Sequence, residues 1–316
     1  MSYRLPLLVL ALALSALPAR AQIDVVASFS ILADMTREIG GEDVRVTALV
    51  GPDTDGHAYS PNPADAQTLA KARVVVVNGL GFEGWLDRLV RASGFKGPVV
   101  VATDGITPLT MESGHTHGGH SHAGHSHGSA GTRKPAAKRA ADPHAWHDLA
   151  RAQTYAANIA AGLAAADPAH AEGYRRRADT YRATLAQLDG EIRAAIDAVP
   201  KARRKILTAH DAFGYYGAAY GVTFLSPVGL STEEQPSAKA VASLIRQMKR
   251  ENIRTVFAEN MSDRRLVQQI SQEAGGRIGG TLYADALSKS DGPASSLVAM
   301  MRHNTALLVG AMTEKN

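Results

Sequence analysis

The sequence predicts an α/β protein of two lobes, each built on a parallel sheet, joined by one long rigid α-helix. Three observations carry this. Short valine- and isoleucine-rich runs alternate with amphipathic helical stretches across residues 23–101, and again from residue 205 onward. Runs that are apolar on both faces suit parallel strands covered by helices on either side. Between these blocks an uninterrupted helical stripe ends at Pro200, and a length of 316 residues is enough for two cores.

The elements follow in order. Ile23–Ala27 reads as a strand, and Ser30 as the cap of a helix with Ile31, Leu32, Met35 and Ile39 on one face, closed by Gly40-Gly41. Val44–Val50 is a strand, Pro63–Ala72 a short helix and Val74–Val77 a doubly buried strand. Phe82–Ala92 is helical and Pro98–Val101 a further buried strand. From about Pro108 to Asp142, Gly, Ser, His, Lys and Ala without apolar periodicity predict a mobile insertion. Asp167-Pro168 then opens the long helix, with Tyr174, Tyr181, Leu185, Leu188, Ile192, Ile196 and Val199 on one stripe. Beyond it come strands at Ile206–Thr208, Val222–Leu225 and Thr255–Ala258. Helices fall at Ala212–Tyr220, Ser237–Arg250, Ser262–Ala274 and Pro293–Met312. The expected organisation is a first lobe over 22–166, a connecting helix over 167–200 and a second lobe over 201–316. One stiff helix between lobes implies little closure.

The first 21 residues read as a cleaved signal peptide: a basic start, an apolar Leu5–Leu17, and Ala19-Arg20-Ala21 at the cut. The apolar run falls short of the roughly 20 residues that span a bilayer. Cleavage removes Arg4 and Arg20 from the 34 basic residues, leaving 32 against 30 acidic ones. That balance favours neither nucleic acid nor a membrane surface as partner. With no cysteine anywhere, disulfides, thiolate ligands, a cysteine nucleophile and a lipid-bearing N-terminal cysteine are excluded from this sequence. A freely soluble periplasmic protein, acting as a monomer, is expected. Any metal it binds meets His, Asp, Glu or backbone oxygen.

Twelve histidines supply such ligands. Six of them, His115, His117, His120, His122, His125 and His127, crowd into the insertion as HTHGGHSHAGHSHG, an auxiliary collector or sensor for metal. His57 and His210 follow strands, in the strand-to-helix loops where α/β folds place ligands. His144 sits in DPHAWHD, where the insertion ends and a helix begins; His170 and His303 lie on helices as ordinary surface or core residues. Tyr59, Trp146 and Phe213 flank the site histidines as a dry wall.

The segments DTDGHAYSPNPAD, NGLGFEGWL, DPHAWHD, TAHDAFGYYGAAYG, STEEQPSAKAV and LYADAL, in that order over the whole chain after residue 22, resemble the cluster A-I solute-binding proteins of zinc and manganese ABC transporters. The resemblance implies a helical-backbone receptor with one metal in the cleft, held by His57, His144, His210 and Asp285. It implies an ABC membrane permease as partner, with a periplasmic zinc metallochaperone as a further candidate. A histidine at 210, three imidazoles with one carboxylate, and the histidine-rich insertion favour Zn²⁺ over Mn²⁺. His147, one helical turn from His144, is a rival ligand, but a supporting or surface role is expected; Glu233, Glu234 and Glu259 are expected as exposed charges, with orienting the ligands or lining the rim as the alternative. Imidazole ligands imply that affinity falls below about pH 6.5. The competing class, a secreted zinc hydrolase, would need three ligands and an activated water. No His-Glu-x-x-His helix, no G-x-S-x-G elbow between strand and helix, and no phosphate loop supports it. An adhesin or metal-sensing protein would share the fold.

Overall fold

The computed structural model describes residues 22–112, 139–233 and 236–314. Residues 1–21, read above as a signal peptide, the histidine tract His115–His127 and Glu234 lie outside the described residues.

The chain opens with β1 (Ile23–Phe29), α1 (Ser30–Gly40), β2 (Val44–Val50), α2 (Pro63–Lys71), β3 (Val74–Val77), α3 (Leu86–Ser93) and β4 (Val99–Val101). The four strands form one parallel sheet in the order β2-β1-β3-β4, with Val25 opposite both Val46 and Val74. Val74–Val77 is buried throughout, as its double-sided apolarity demands. α2 begins with a capping box: the Asn62 side chain accepts from Ala64 and Asp65, Asp65 reaches back to Asn62, and Pro63 occupies the first turn. Ser30 does not cap α1. Its hydroxyl accepts from the amide of Leu287, 3.0 Å away in the distant second half of the chain.

Two short strands then pair antiparallel, β5 (Thr110–Glu112) and β6 (Arg139–Ala141). The insertion expected to be structureless over 108–142 is therefore rooted in a ladder at both ends. α4 (Leu149–Ala166) packs between the first sheet and α5 (Ala171–Asp197). Its alanine-rich sequence lets two layers approach closely, Gly162 meeting Val100 of β4. The long helix is as expected from its stripe, but a separate 3-10 turn over Pro168–His170 precedes it. At 1.5 Å per residue, α5 runs roughly 40 Å.

The second half holds β7 (Lys205–Leu207), α6 (Gly214–Tyr220), β8 (Thr223–Leu225), α7 (Ala238–Glu251), β9 (Thr255–Glu259), α8 (Arg264–Ala274), β10 (Arg277–Leu282) and α9 (Leu297–Thr313). Its sheet, also parallel, has the order β10-β9-β7-β8. β10 does not read as a strand in sequence because of its Gly279-Gly280 pair, where the register against β9 shifts. A Cβ on Gly279 would stand 2.4 Å from Thr255 and 2.7 Å from the Phe257 ring, so only glycine fits that approach.

Strand alternation divides the second sheet between two cores. Leu207, Val256 and Ala258 face α7 and α8, packing on Leu244, Met248, Val267 and Ile270. Ile206, Phe257 and Leu282 join an apolar cluster continuous with α5 and with the first sheet. The lobes thus share a core around α5 and α9, and separating them would expose apolar surface. Among the described residues no helix is long and apolar enough to cross a membrane.

Candidate metal centre

Carboxyl ends of strands from both sheets meet at one place. His57 follows β2, His210 follows β7, Glu259 ends β9 and Asp285 follows β10, while His144 lies between β6 and α4. One ligand atom from each of His57, His144, His210 and Asp285 lies within 4.8 Å of the others, and all four residues are buried. The His57 and His144 Nε2 atoms are 3.1 Å apart. Asp285 Oδ2 is 3.1 Å from His210 Nε2 and 3.5 Å from His57 Nε2, and Oδ1 is 3.5 Å from His144 Nε2. The four residues that the resemblance pointed to are thus brought together by two sheets.

Local structure fixes each. Asp55 folds back so that Oδ1 accepts from the amides of His57 (2.9 Å) and Ala58 (3.3 Å), an Asx-type turn. Trp85 Nε1 donates to Gly56 O at 2.8 Å and holds the same loop from behind. The 283–287 segment carrying Asp285 is pinned at both ends. Asn304 bonds both the amide and the carbonyl of Tyr283, Trp146 donates to Ala284 O at 3.0 Å, and Leu287 N donates to Ser30.

Two further carboxylates back the histidines. Asp142 Oδ1 accepts from the His144 amide at 2.9 Å and lies 2.8 Å from its Nδ1. Glu259 Oε1 accepts from the amides of Ala209 and His210, and Oε2 meets His210 Nδ1. With each Nδ1 directed at a carboxylate oxygen, Nε2 is the ring atom that faces the cluster. The sequence reading included Glu259 but not Asp142; the signal available was a carboxylate two residues before His144, turned back by the intervening Pro143.

The wall is aromatic. Phe82 packs 4.5 Å from the His57 ring and 5.3 Å from Trp146, and Trp146 and Phe213 are fully buried. Phe82 is held by the turn around the partly buried Glu83, whose carboxyl accepts from Asn78, Gly79 and Ser28 and is raised above its ordinary pKa by desolvation. Tyr59 is half-buried and donates to Asp65. His147 is buried between Trp146 and Phe213, with neither ring nitrogen hydrogen-bonded among the described residues, and stands outside the four-residue group. Glu233 is exposed.

The electrostatics divide the imidazoles. Burial, then the neighbouring His144 and His210, push His57 down to about 3 against the pull of Asp285. Burial likewise takes His147 to about 3. Burial opposes charge on His210 too, but Glu259 and Asp285 on either side raise it well above its ordinary value. Asp285 is held well below the carboxylate range: burial opposes its charge, and His210 and His144 overcome it.

The fold is that of a solute-binding receptor for a metal ion, and the buried His/Asp group lies where its two sheets meet. Residues 25–311 match the family described as ZnuA, zinc-uptake complex component A, periplasmic, and the chain belongs to that family. It is 31% identical over 289 residues to the iron ABC transporter substrate-binding lipoprotein MtsA of Streptococcus pyogenes serotype M1, covering 90% of this chain and 86% of that one. To the manganese-binding lipoprotein MntA of Halalkalibacterium halodurans it is 29% identical, covering 92% and 89%. The fold superposes on the periplasmic zinc binding protein TroA of Treponema pallidum with a TM-score of 0.81, at 24% identity and over 93% and 100% of the chains. The family is one of ABC-transporter receptors, not of enzymes.

Proposed function

We propose that the chain captures Zn²⁺ in the cleft through His57, His144, His210 and Asp285 and delivers it to the permease of an ABC importer. One observation carries this reading: one ligand atom from each of four buried residues far apart in sequence, His57, His144, His210 and Asp285, lies within 4.8 Å of the others. Three imidazole nitrogens and a carboxylate converging in one buried place suit a cation, which would displace the proton shared between His210 and Asp285. Four of the separations among these atoms are 3.1–3.5 Å and all lie within 4.8 Å, against a roughly 3.3 Å edge for a tetrahedron with zinc–ligand bonds of about 2.0–2.1 Å. Three imidazoles and one carboxylate form a borderline set, softer than the oxygen-rich shell manganese prefers. Relatives are named for iron, manganese and zinc, so the donor chemistry is what favours zinc here.

In this reading the signal peptide directs the protein to the periplasm, where it works as a monomer. The sequence holds no cysteine to take a lipid. The histidine tract collects zinc, directly or from a metallochaperone, and passes it to the cleft. The test is metal content and competition titration of wild type beside His57→Ala, His144→Ala, His210→Ala and Asp285→Ala. One tight Zn²⁺ lost in the variants and not displaced by Mn²⁺ supports the reading. Preference for Mn²⁺ overturns the metal, and tight zinc surviving all four changes overturns the site.

A further inference from the structure

The three imidazoles are not held alike. His144 and His210 each give Nδ1 to a carboxylate of their own lobe, Asp142 at 2.8 Å and Glu259 at close range. Asp142 is wholly buried and Glu259 nearly so. Each carboxylate also accepts from the backbone amide of the histidine it holds, so ring and main chain are tied at one point. A ring locked at Nδ1 and at its own amide keeps its Nε2 aimed whether or not an ion is present.

His57 has no such partner. Among the described residues its Nδ1 meets no carboxylate, and its ring packs against Phe82 in a T-shaped contact. Its backbone lies in the 51–62 loop, which is neither helix nor strand. That loop is tied across the cleft as well as to its own lobe. Thr232 donates to Asp55 Oδ2 at 2.6 Å, Asp53 N donates to Leu287 O at 2.9 Å, and Asn260 Nδ2 donates to Asp53 Oδ1 at 2.9 Å. Parting the lobes would break these cross-cleft bonds and pull on the loop of the one unlocked ligand.

We propose that Asp142 and Glu259 are positioning residues that make His144 and His210 fixed ligands, and that His57 is the ligand that detaches first when metal leaves. The proposal rests on the reading of these histidines as metal ligands. Release then proceeds through a state in which the ion is held by His144, His210 and Asp285, with His57 turned out and its place open to an incoming ligand. The order is set by which ring is tethered, since all three are imidazoles of similar intrinsic strength.

The experiment loads the wild-type mature protein with Co²⁺, whose visible absorption reports its coordination, and starts release with excess chelator. Brief pulses of diethyl pyrocarbonate, read by mass spectrometry, mark each imidazole as it becomes free. His57 is expected to take label while the cobalt band is changed in shape but not lost, with His144 and His210 labelled only as the band disappears. Simultaneous labelling of all three, or label first on His144 or His210, overturns the order. Asp142→Ala and Glu259→Ala are expected to lower Co²⁺ affinity about 10–100-fold and shift the band. Asp142→Asn and Glu259→Gln, which keep an acceptor oxygen, recover most of that loss. Unchanged affinity and band in the alanine variants overturn the positioning role. Wild type that binds no tight divalent metal defeats the ligand assignment itself, a failure distinct from either. The labelling order needs no variant and stands even if a substitution prevents folding.

Discussion

Removing His210 and removing His57 should have different consequences for the protein without metal, although both are proposed as ligands. His210 lies between two buried carboxylates, Nδ1 on Glu259 and Nε2 3.1 Å from Asp285. Its charged form is favoured there, well above the ordinary value of 6.5. His210→Ala leaves Glu259 and Asp285 buried without their cation. Breaking a buried pair from one side costs about 3–5 kcal/mol, or roughly 5–10 °C in Tm for a chain of this size. Because the folded-state pKa is raised, the stabilisation is complete below 6.5 and fades as pH climbs through the folded value. The deficit of the variant is therefore largest near pH 6 and shrinks in alkali. His57 is the opposite case, lowered to about 3. Its neutral ring takes up no proton in the native state, while the unfolded chain does so below 6.5. Wild type therefore loses stability at His57 as pH falls, by about 2 kcal/mol at pH 5. His57→Ala relieves that cost and gives up the packing on Phe82, for a net change within about 1–2 kcal/mol. Urea and thermal unfolding with chelator present, at pH 5, 6 and 8, measures both. Equal losses for the two variants, or a His210→Ala deficit that grows with pH, would refute the electrostatic reasoning.

Three further outcomes are expected. Metal binding at pH 7 should release close to one proton, displaced from His210 and not from His57. Affinity should then rise up to about tenfold per pH unit across pH 6–8, a window higher than the ordinary imidazole value alone suggests. Calorimetry in buffers of different ionisation enthalpy measures the proton count, and none released would contradict it. Asp34, raised to about 6 by burial while its Oδ2 accepts from Leu297 at the start of α9, favours its protonated form in the fold. Stability tied to that group is complete below 3.8 and lost as pH rises through 6, so Asp34→Asn should gain about 1–3 kcal/mol at pH 7.5 and nothing near pH 3.5. Deletion of Gly114–Gly128 should leave one tight zinc in the cleft and lower total zinc or its rate of capture; loss of the tight site would reverse the division of labour.

Much of this architecture is local and therefore legible in a single sequence. The valine run of 74–77, the stripe from Tyr174 to Val199 and the Asn62-Pro63 cap each specify their element through periodicity or backbone chemistry within a few residues. The Gly279-Gly280 strand is not legible, because its reason is a Phe257 ring on the neighbouring strand. Nor are the β5–β6 roots, which pair with one another across 26 intervening residues. The candidate ligands could be named from motifs; Asp142 and Phe82 lie in the same motifs, but their roles rest on proximity to His144 and His57, which only the fold supplies. Imidazole and carboxylate are fixed by sequence, and with them the kind of ion that suits the site. The contrast between a locked, charge-favouring His210 and an untethered, neutral His57 was decided only when two sheets met. Burial and neighbouring charge are properties of the assembled cleft, and no residue carries them alone.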